Sequence, residues 1–386
     1  MSSVNPLQKG SRLKASLLLV AVMTGLSFGA QVNAQELGIP DKGFTLDALI
    51  NAARKEAPIT VVDATGKIKE MAAGFTAKYG VKATGVKLSA QNQEQVLQRE
   101  AAAKNVTHDV FNMSNLPSVT SQILPQGIGV SWMPPDLVST TPGVYQKPAI
   151  TSVNPWVWAY NTAKYGDKCP IQNMWELTEP KWKGRVSIPD PLLRNETMFW
   201  FNQIETHNDQ DMRDAYKAHF GKPLGSDVKS ATKEWVKRFA ANSPNVTRSD
   251  TDVGPVVGAQ DLTDPHIGFL STAIFRSSNK YNMRICGGMK PWAGQLTPRV
   301  AVIARGTKSP NAAKLFVHYM MSGEGMEPQL VDGKIATNIN TKMPKDEASG
   351  VVKYVDQLYV TNSSTTNQDF AKLQDWQDLW TIQSRR

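Results

Sequence analysis

The sequence predicts an α/β protein built as two domains. Its 386 residues are too many for one small core and suit two of ordinary size. Short β-branched apolar runs alternate with helical periods through the first half, the pattern of parallel βαβ units with right-handed crossovers. A break rich in proline and turn residues, VSWMPPDLVSTTPGVYQKPAI (130–150), then separates that half from a second such unit. With 41% hydrophobic and 20% charged residues the composition is that of a folded globular chain and excludes a disordered one.

The first element stands apart from the fold. Lys9, Arg12 and Lys14 form a basic segment, ASLLLVAVMTGLSFGA (15–30) is apolar but short, and Val32-Asn33-Ala34 supplies small residues for cleavage. This is the pattern of a secretory signal peptide, with cleavage expected after Ala34. A membrane anchor would need about 20 strongly apolar residues. Removing the leader takes three basic residues from 43 against 34 acidic ones, which leaves a net charge of +6. A modest positive field suits capture of a small anion. No basic run with interleaved aromatics occurs, so nucleic acid is not expected as a partner.

In the mature chain, Thr45 caps a helical period over 45–57, with Leu46, Leu49, Ile50 and Ala53 on one face. ITVVDA (59–64) reads as a buried strand, and Lys67–Tyr79 as a helix that Gly80 stops. VKATGVKL (81–88), QNQEQVLQREAAAKN (91–105) and HDVFNMS (108–114) follow as strand, helix and strand. After the break come an aromatic strand at 154–162, a helix at 230–243, strands at 266–275 and 298–307, and a helix over 309–326 opened by Ser309-Pro310.

In an open α/β sheet, ligands sit beyond the carboxyl ends of the strands. That rule singles out the loop at Asp63–Lys67 and the loop at Asn112–Asn115. The stretch SIPDPLLRNETMFWF (187–201) reads as strand, proline-broken loop and helix start, a place where free N–H groups favour negative charge. Cys169 and Cys286 are the only cysteines, and in an oxidising compartment such a pair reads as a disulfide. The rival reading, a metal site, lacks the clustered spacing that zinc prefers, so neither a metal nor a cofactor is expected.

Five stretches carry a resemblance to the solute-binding proteins of bacterial ABC importers. They are AGFTAKYGVKATGV (73–86), HDVFNMSN (108–115), WAYNTAKY (158–165), WELTEPKWKGRVSIPDP (175–191) and VAVIARGTKSPNAAKLFVHYMMSGEGM (300–326). More narrowly the chain resembles the family-1-like group of ferric-, phosphonate- and sugar-phosphate-binding proteins. The resemblance implies two α/β lobes of the type II periplasmic-binding-protein fold, with ligand held in the cleft by hinge closure. It implies lobe one at 35–154 plus 300–340 and lobe two at 155–299 plus 341–386, with crossings near Asn154–Asn161 and Gln295–Val302. It also implies a periplasmic monomer whose partners are a small-molecule ligand and an inner-membrane permease.

On that reading Arg194 offers a bidentate donor to phosphate, phosphonate or carboxylate, with Asn195 and Thr197 beside it. Thr65, Gly66 and Lys67 offer a hydroxyl, a close backbone and a cation from the other lobe, and Ser114 and Asn115 add polar donors. Trp156, Trp158 and Tyr160 offer a flat wall. Arg276 and Tyr281 are further candidates, and Asp250 and Asp252 could meet a ligand amine or hydroxyl. Each has a plainer role open to it: helix capping for Asn195, Thr197 and Ser114, surface charge for Lys67 and Arg194, packing for the tryptophans.

The expected function is capture of a small anion. A ferric reading is the alternative, weakened because 271–288 holds one lone Tyr281 with two arginines where many ferric members carry adjacent tyrosines. An exported hydrolase is the third reading. The chain shows no GxSxG, HExxH or P-loop pattern, and its five histidines have no ligand or triad spacing.

Overall fold

A computed structural model describes residues 37–385; the leader expected at 1–34 lies outside the described residues. Twelve strands share one sheet: β1 (Ile59–Asp63), β2 (Ala83–Lys87), β3 (Val110–Met113), β4 (Gly129–Val130), β5 (Ile150–Asn161), β6 (Val186–Pro189), β7 (Asn245–Thr247), β8 (Ile267–Ser271), β9 (Met283–Ile285), β10 (Gly294–Ala304), β11 (Ile335–Ala336) and β12 (Leu358–Val360). The main order is β2-β1-β3-β10-β5-β8-β6-β7.

Two parallel groups are visible in that order. β1 pairs in parallel with β2 and β3, and β6 in parallel with β7 and β8. Between them lie the long β5 and β10, antiparallel to each other, with β10 also on β3 and β5 also on β8. All twelve residues of β5 and all eleven of β10 are buried, including polar ones such as Ser152, Asn154, Gln295, Thr297 and Arg299.

Local chemistry sets the helices as the sequence predicts. The Thr45 hydroxyl accepts from the Ala48 N–H at the start of helix Leu46–Ala53. Gly80, at φ +71°, closes helix Ile68–Tyr79 in the left-handed region that glycine enters without strain. The single helix expected over 309–326 is instead two, Pro310–Met320 and Gly323–Leu330. The Ser322 hydroxyl accepts from the Gly325 N–H and caps the start of the second helix. The strand expected at 266–275 ends at Ser271 and passes into a 3₁₀ turn over Thr272–Ser277.

The first group packs its helices through Phe75, Phe316 and Tyr319. The second group is richer in aromatics. Trp200 stacks on Phe269 at 5.2 Å, Trp158 touches Phe239 and Phe269, and Trp380 from the last helix, Leu373–Ser384, meets Phe201 and Phe239. Cys169 and Cys286 are bonded to each other across 117 residues of chain. Closing a loop of that length removes about 4–5 kcal/mol of entropy from the unfolded chain in the loop-closure account. Among the described residues no helix is long and apolar enough to cross a membrane.

Candidate functional site

The carboxyl ends of β1, β6 and β8 converge on β5 and enclose a cleft of about 130 Å³. β1 contributes Thr65 and Gly66 just past its end, the loop after β6 contributes Arg194, and the turn after β8 contributes Arg276. Asn154 and Trp156 of β5 and Arg299 of β10 complete the middle. Lys87, Asp250 and Lys334 enter from the rim and from the segment before β11. The lining thus carries five cationic side chains and one carboxylate.

The deepest cations are Arg299 and Lys334, 4% and 2% exposed. They share Asp63, which is fully buried and already accepts from Asn112 Nδ2 at 2.8 Å and Gln329 Nε2 at 3.0 Å. Arg299 Nη1 stands 3.6 Å from Asp63 Oδ1, beyond a good hydrogen bond. Its Nε and Nη1 have no hydrogen-bond partner among the described residues. Among the described residues the Lys334 ammonium donates only to the Gln329 amide oxygen. Burial opposes the Asp63 charge, but Lys334, Arg299 and the two amide donors outweigh it and hold that carboxyl below the usual range. Burial also pushes the Lys334 ammonium down to about 8, with Asp63 working the other way. Two buried cations against one satisfied carboxylate is a surplus of positive charge, costly unless something anionic meets it.

Arg194 is arranged differently. Its guanidinium lies 4.3 Å over the Trp156 ring, and Nη2 stands 3.5 Å from Glu196 Oε1. Glu196 is itself buried and accepts from Ser114 Oγ at 2.6 Å. Burial disfavours its charge, but Arg194 and the Ser114 hydroxyl keep the carboxyl below its ordinary value. Arg276 pairs with both oxygens of Asp332 at 2.7 Å, so its charge too is partly answered from within.

A profile of the family described as bacterial extracellular solute-binding protein matches residues 59–328 of this chain. The chain belongs to that family. Solved structures agree in fold. Iron-bound HitA from Pseudomonas aeruginosa superposes with a TM-score of 0.65 at 15% identity, over 84% of this chain and 99% of that one. The periplasmic binding protein AfuA from Actinobacillus pleuropneumoniae, with exogenous fructose-6-phosphate bound, gives 0.63 at 18%, over 84% and 99%. The substrate-binding protein of an ABC transporter from Agrobacterium tumefaciens gives 0.62 at 13%, over 86% and 96%. No curated protein matches the sequence.

In this solute-binding protein the cleft gathers Thr65, Gly66, Trp156, Arg194 and Arg276 of the residues expected from sequence, together with Asp250. The others lie elsewhere. Lys67 turns along its own helix to Glu70 at 3.0 Å, a short reach between neighbouring turns. Asn115 donates to Glu94, and Ser114 is taken up by Glu196. Asn195 accepts from Gln377 Nε2 at 3.2 Å, which turns it towards the last helix. Thr197 is buried in the first turn of helix Asn195–His207. Tyr160 lines a separate hollow beside the disulfide, with Arg284 and Tyr354. Four residues past Trp156 along β5, it has left the cleft.

Sequence reasoning did not find Lys87, Asn154, Arg299 or Lys334. Arg299 had a signal: it is the one charged side chain in the buried run QLTPRVAVIA of β10. Lys334 had none, because VDGKIATN reads as an ordinary turn.

Proposed function

We propose that this protein is the periplasmic substrate-binding component of an ABC importer, and that it captures a small anionic solute by closing two lobes over it without altering it. The lobes are 35–154 plus 300–340 and 155–299 plus 341–386, and the partner is an inner-membrane permease. The family supports capture and delivery as the class of function. The buried pair Arg299 and Lys334, left with one shared carboxylate, carries the reading of charge. A phosphate ester, phosphonate or carboxylate would supply the missing negative charge and acceptors for the free guanidinium N–H groups.

The ferric reading draws on the names of several structural relatives, but the lining of this cleft does not favour it. Hard ferric iron wants several anionic oxygens, and five cations with one carboxylate repel it. Among the described residues no group of three or more His, Cys, Asp or Glu is set to hold a metal.

The test is a thermal-shift screen of the mature chain across phosphate esters, phosphonates, carboxylates, sugars and ferric salts, with calorimetry on the hits. Anions are expected to raise the melting temperature, and Arg299→Gln to weaken them at least about tenfold, as removing one partner of a buried charge pair does. Stabilisation by ferric salts alone, or full affinity in Arg299→Gln, would remove the anion reading.

A further inference from the structure

We infer that the solute is bipolar, with an ammonium group at the end opposite its anion, and that Asp250 selects for it. This rests on the anion-capture reading of the same cleft. Most of the cleft cations are answered from within the protein: Arg194 by Glu196, Arg276 by Asp332, and one of Arg299 and Lys334 by Asp63. Asp250 is the one carboxylate in the lining, and it makes no ion pair among the described residues. Its Oδ2 accepts from Ser271 Oγ at 2.6 Å, and that neutral hydroxyl leaves its charge unanswered.

The sheet register separates the two poles. Ser271, which holds Asp250, pairs with Trp156 of β5, while Arg299 pairs with Ser152 of the same strand. Four residue steps of strand separate these levels, about 13 Å at roughly 3.3 Å per residue. The long side chains of Arg299 and Lys334 shorten that gap from one end. The cleft therefore presents a buried positive end and a carboxylate at the level of Trp156, whose ring carries the Arg194 guanidinium already answered by Glu196. An acid in the first turn of a helix is ordinary by itself, because the helix N-terminus favours it. Here the same residue sits on the wall of a cationic cleft, where a lone carboxylate would weaken the capture of any simple anion. An ammonium on the solute turns that repulsion into an ion pair. A hydroxyl would gain a hydrogen bond without the charge.

Two matched sets of probes test this by calorimetry on the mature protein. One is 2-aminoethyl, 2-hydroxyethyl and propyl phosphate; the other is 4-aminobutanoate, 4-hydroxybutanoate and pentanoate. In the set that binds, the amino member is expected to bind about tenfold tighter than the methyl member, with the hydroxyl member between, the scale of one charge-assisted hydrogen bond. Asp250→Asn is expected to shrink the amino-to-methyl ratio below about threefold, and Asp250→Ser, which keeps an oxygen at the helix start, to do the same. A methyl or hydroxyl member that binds as tightly as the amino member, or a ratio unchanged in both variants, overturns the inference and leaves anion capture standing. If no anion of either set binds, anion capture fails first and the inference falls with it.

Discussion

Lys334 lies 2% exposed beside Asp63, and burial brings its ammonium down to about 8 from the ordinary lysine value of 10.5. Below pH 8 both folded and unfolded chains hold the proton, so the folded state bears the whole cost of a desolvated charge. Between about 8 and 10.5 the folded chain has released the proton while the unfolded chain keeps it, and stability at this group rises with pH. Anion capture runs the opposite way, because it needs the charged form. Affinity is expected to fall by up to about tenfold between pH 8 and 9, one proton's worth per unit, and Lys334→Arg to flatten the profile. Calorimetry at pH 7, 8 and 9 checks it, and a flat profile in the unmodified protein would remove Lys334 from the site. At this scale the sequence was half legible. Thr65 and Gly66 sit where the strand-end rule places ligand groups, whereas Lys334 comes from a turn whose approach to Asp63 depends on more than 250 residues of intervening chain.

At the scale of elements, periodicity read the first βαβ units to within a few residues, because each strand and helix there carries its own apolar pattern and its own cap. It missed the break at Ser322, since Met320, Met321 and Met326 are all buried and keep the apolar pattern running through the joint. The last helix, Leu373–Ser384, shows what local pattern leaves unsaid. Its sequence reads as a generic amphipathic helix, yet Trp376 and Trp380 are buried against Phe201, and Trp376 Nε1 donates to Asn202 at 3.0 Å. That helix closes the aromatic core of the second group from outside. Trp380→Ala is therefore expected to cost about 3–5 kcal/mol, the range for deleting a buried large aromatic. Urea unfolding followed by circular dichroism measures it, and a loss below about 1 kcal/mol would mean the helix is only loosely attached.

For the whole molecule, the two long strands β5 and β10 were expected as lobe crossings from the family resemblance alone, since polar residues such as Ser152, Asn154, Gln295, Thr297 and Arg299 run through them and their local pattern does not single them out. How the two sides meet was not legible, since it depends on side chains far apart in sequence. With the lobes divided as proposed, several side-chain contacts join them, among them Arg276 to Asp332, Thr272 to the Asp332 carbonyl, Thr120 to Thr366, Ser121 to Asn367 and Ser114 to Glu196. Arg276 lines the cleft, so its removal would mix loss of ligand contact with loss of closure. Ser114 lies outside the lining, and its hydroxyl holds a buried carboxylate across 82 residues of sequence. Ser114→Ala leaves Glu196 with a weaker set of partners in the closed arrangement, while an open arrangement lets water replace the hydroxyl. The variant should release ligand faster by about tenfold, the scale of one hydrogen bond to a charged group, with the association rate little changed. Stopped-flow tryptophan fluorescence, with Trp156 in the cleft wall as a reporter, resolves both rates. Unchanged release would mean that this contact does not hold the lobes together, and that closure rests on the other contacts, such as the Arg276–Asp332 pair, and the ligand itself.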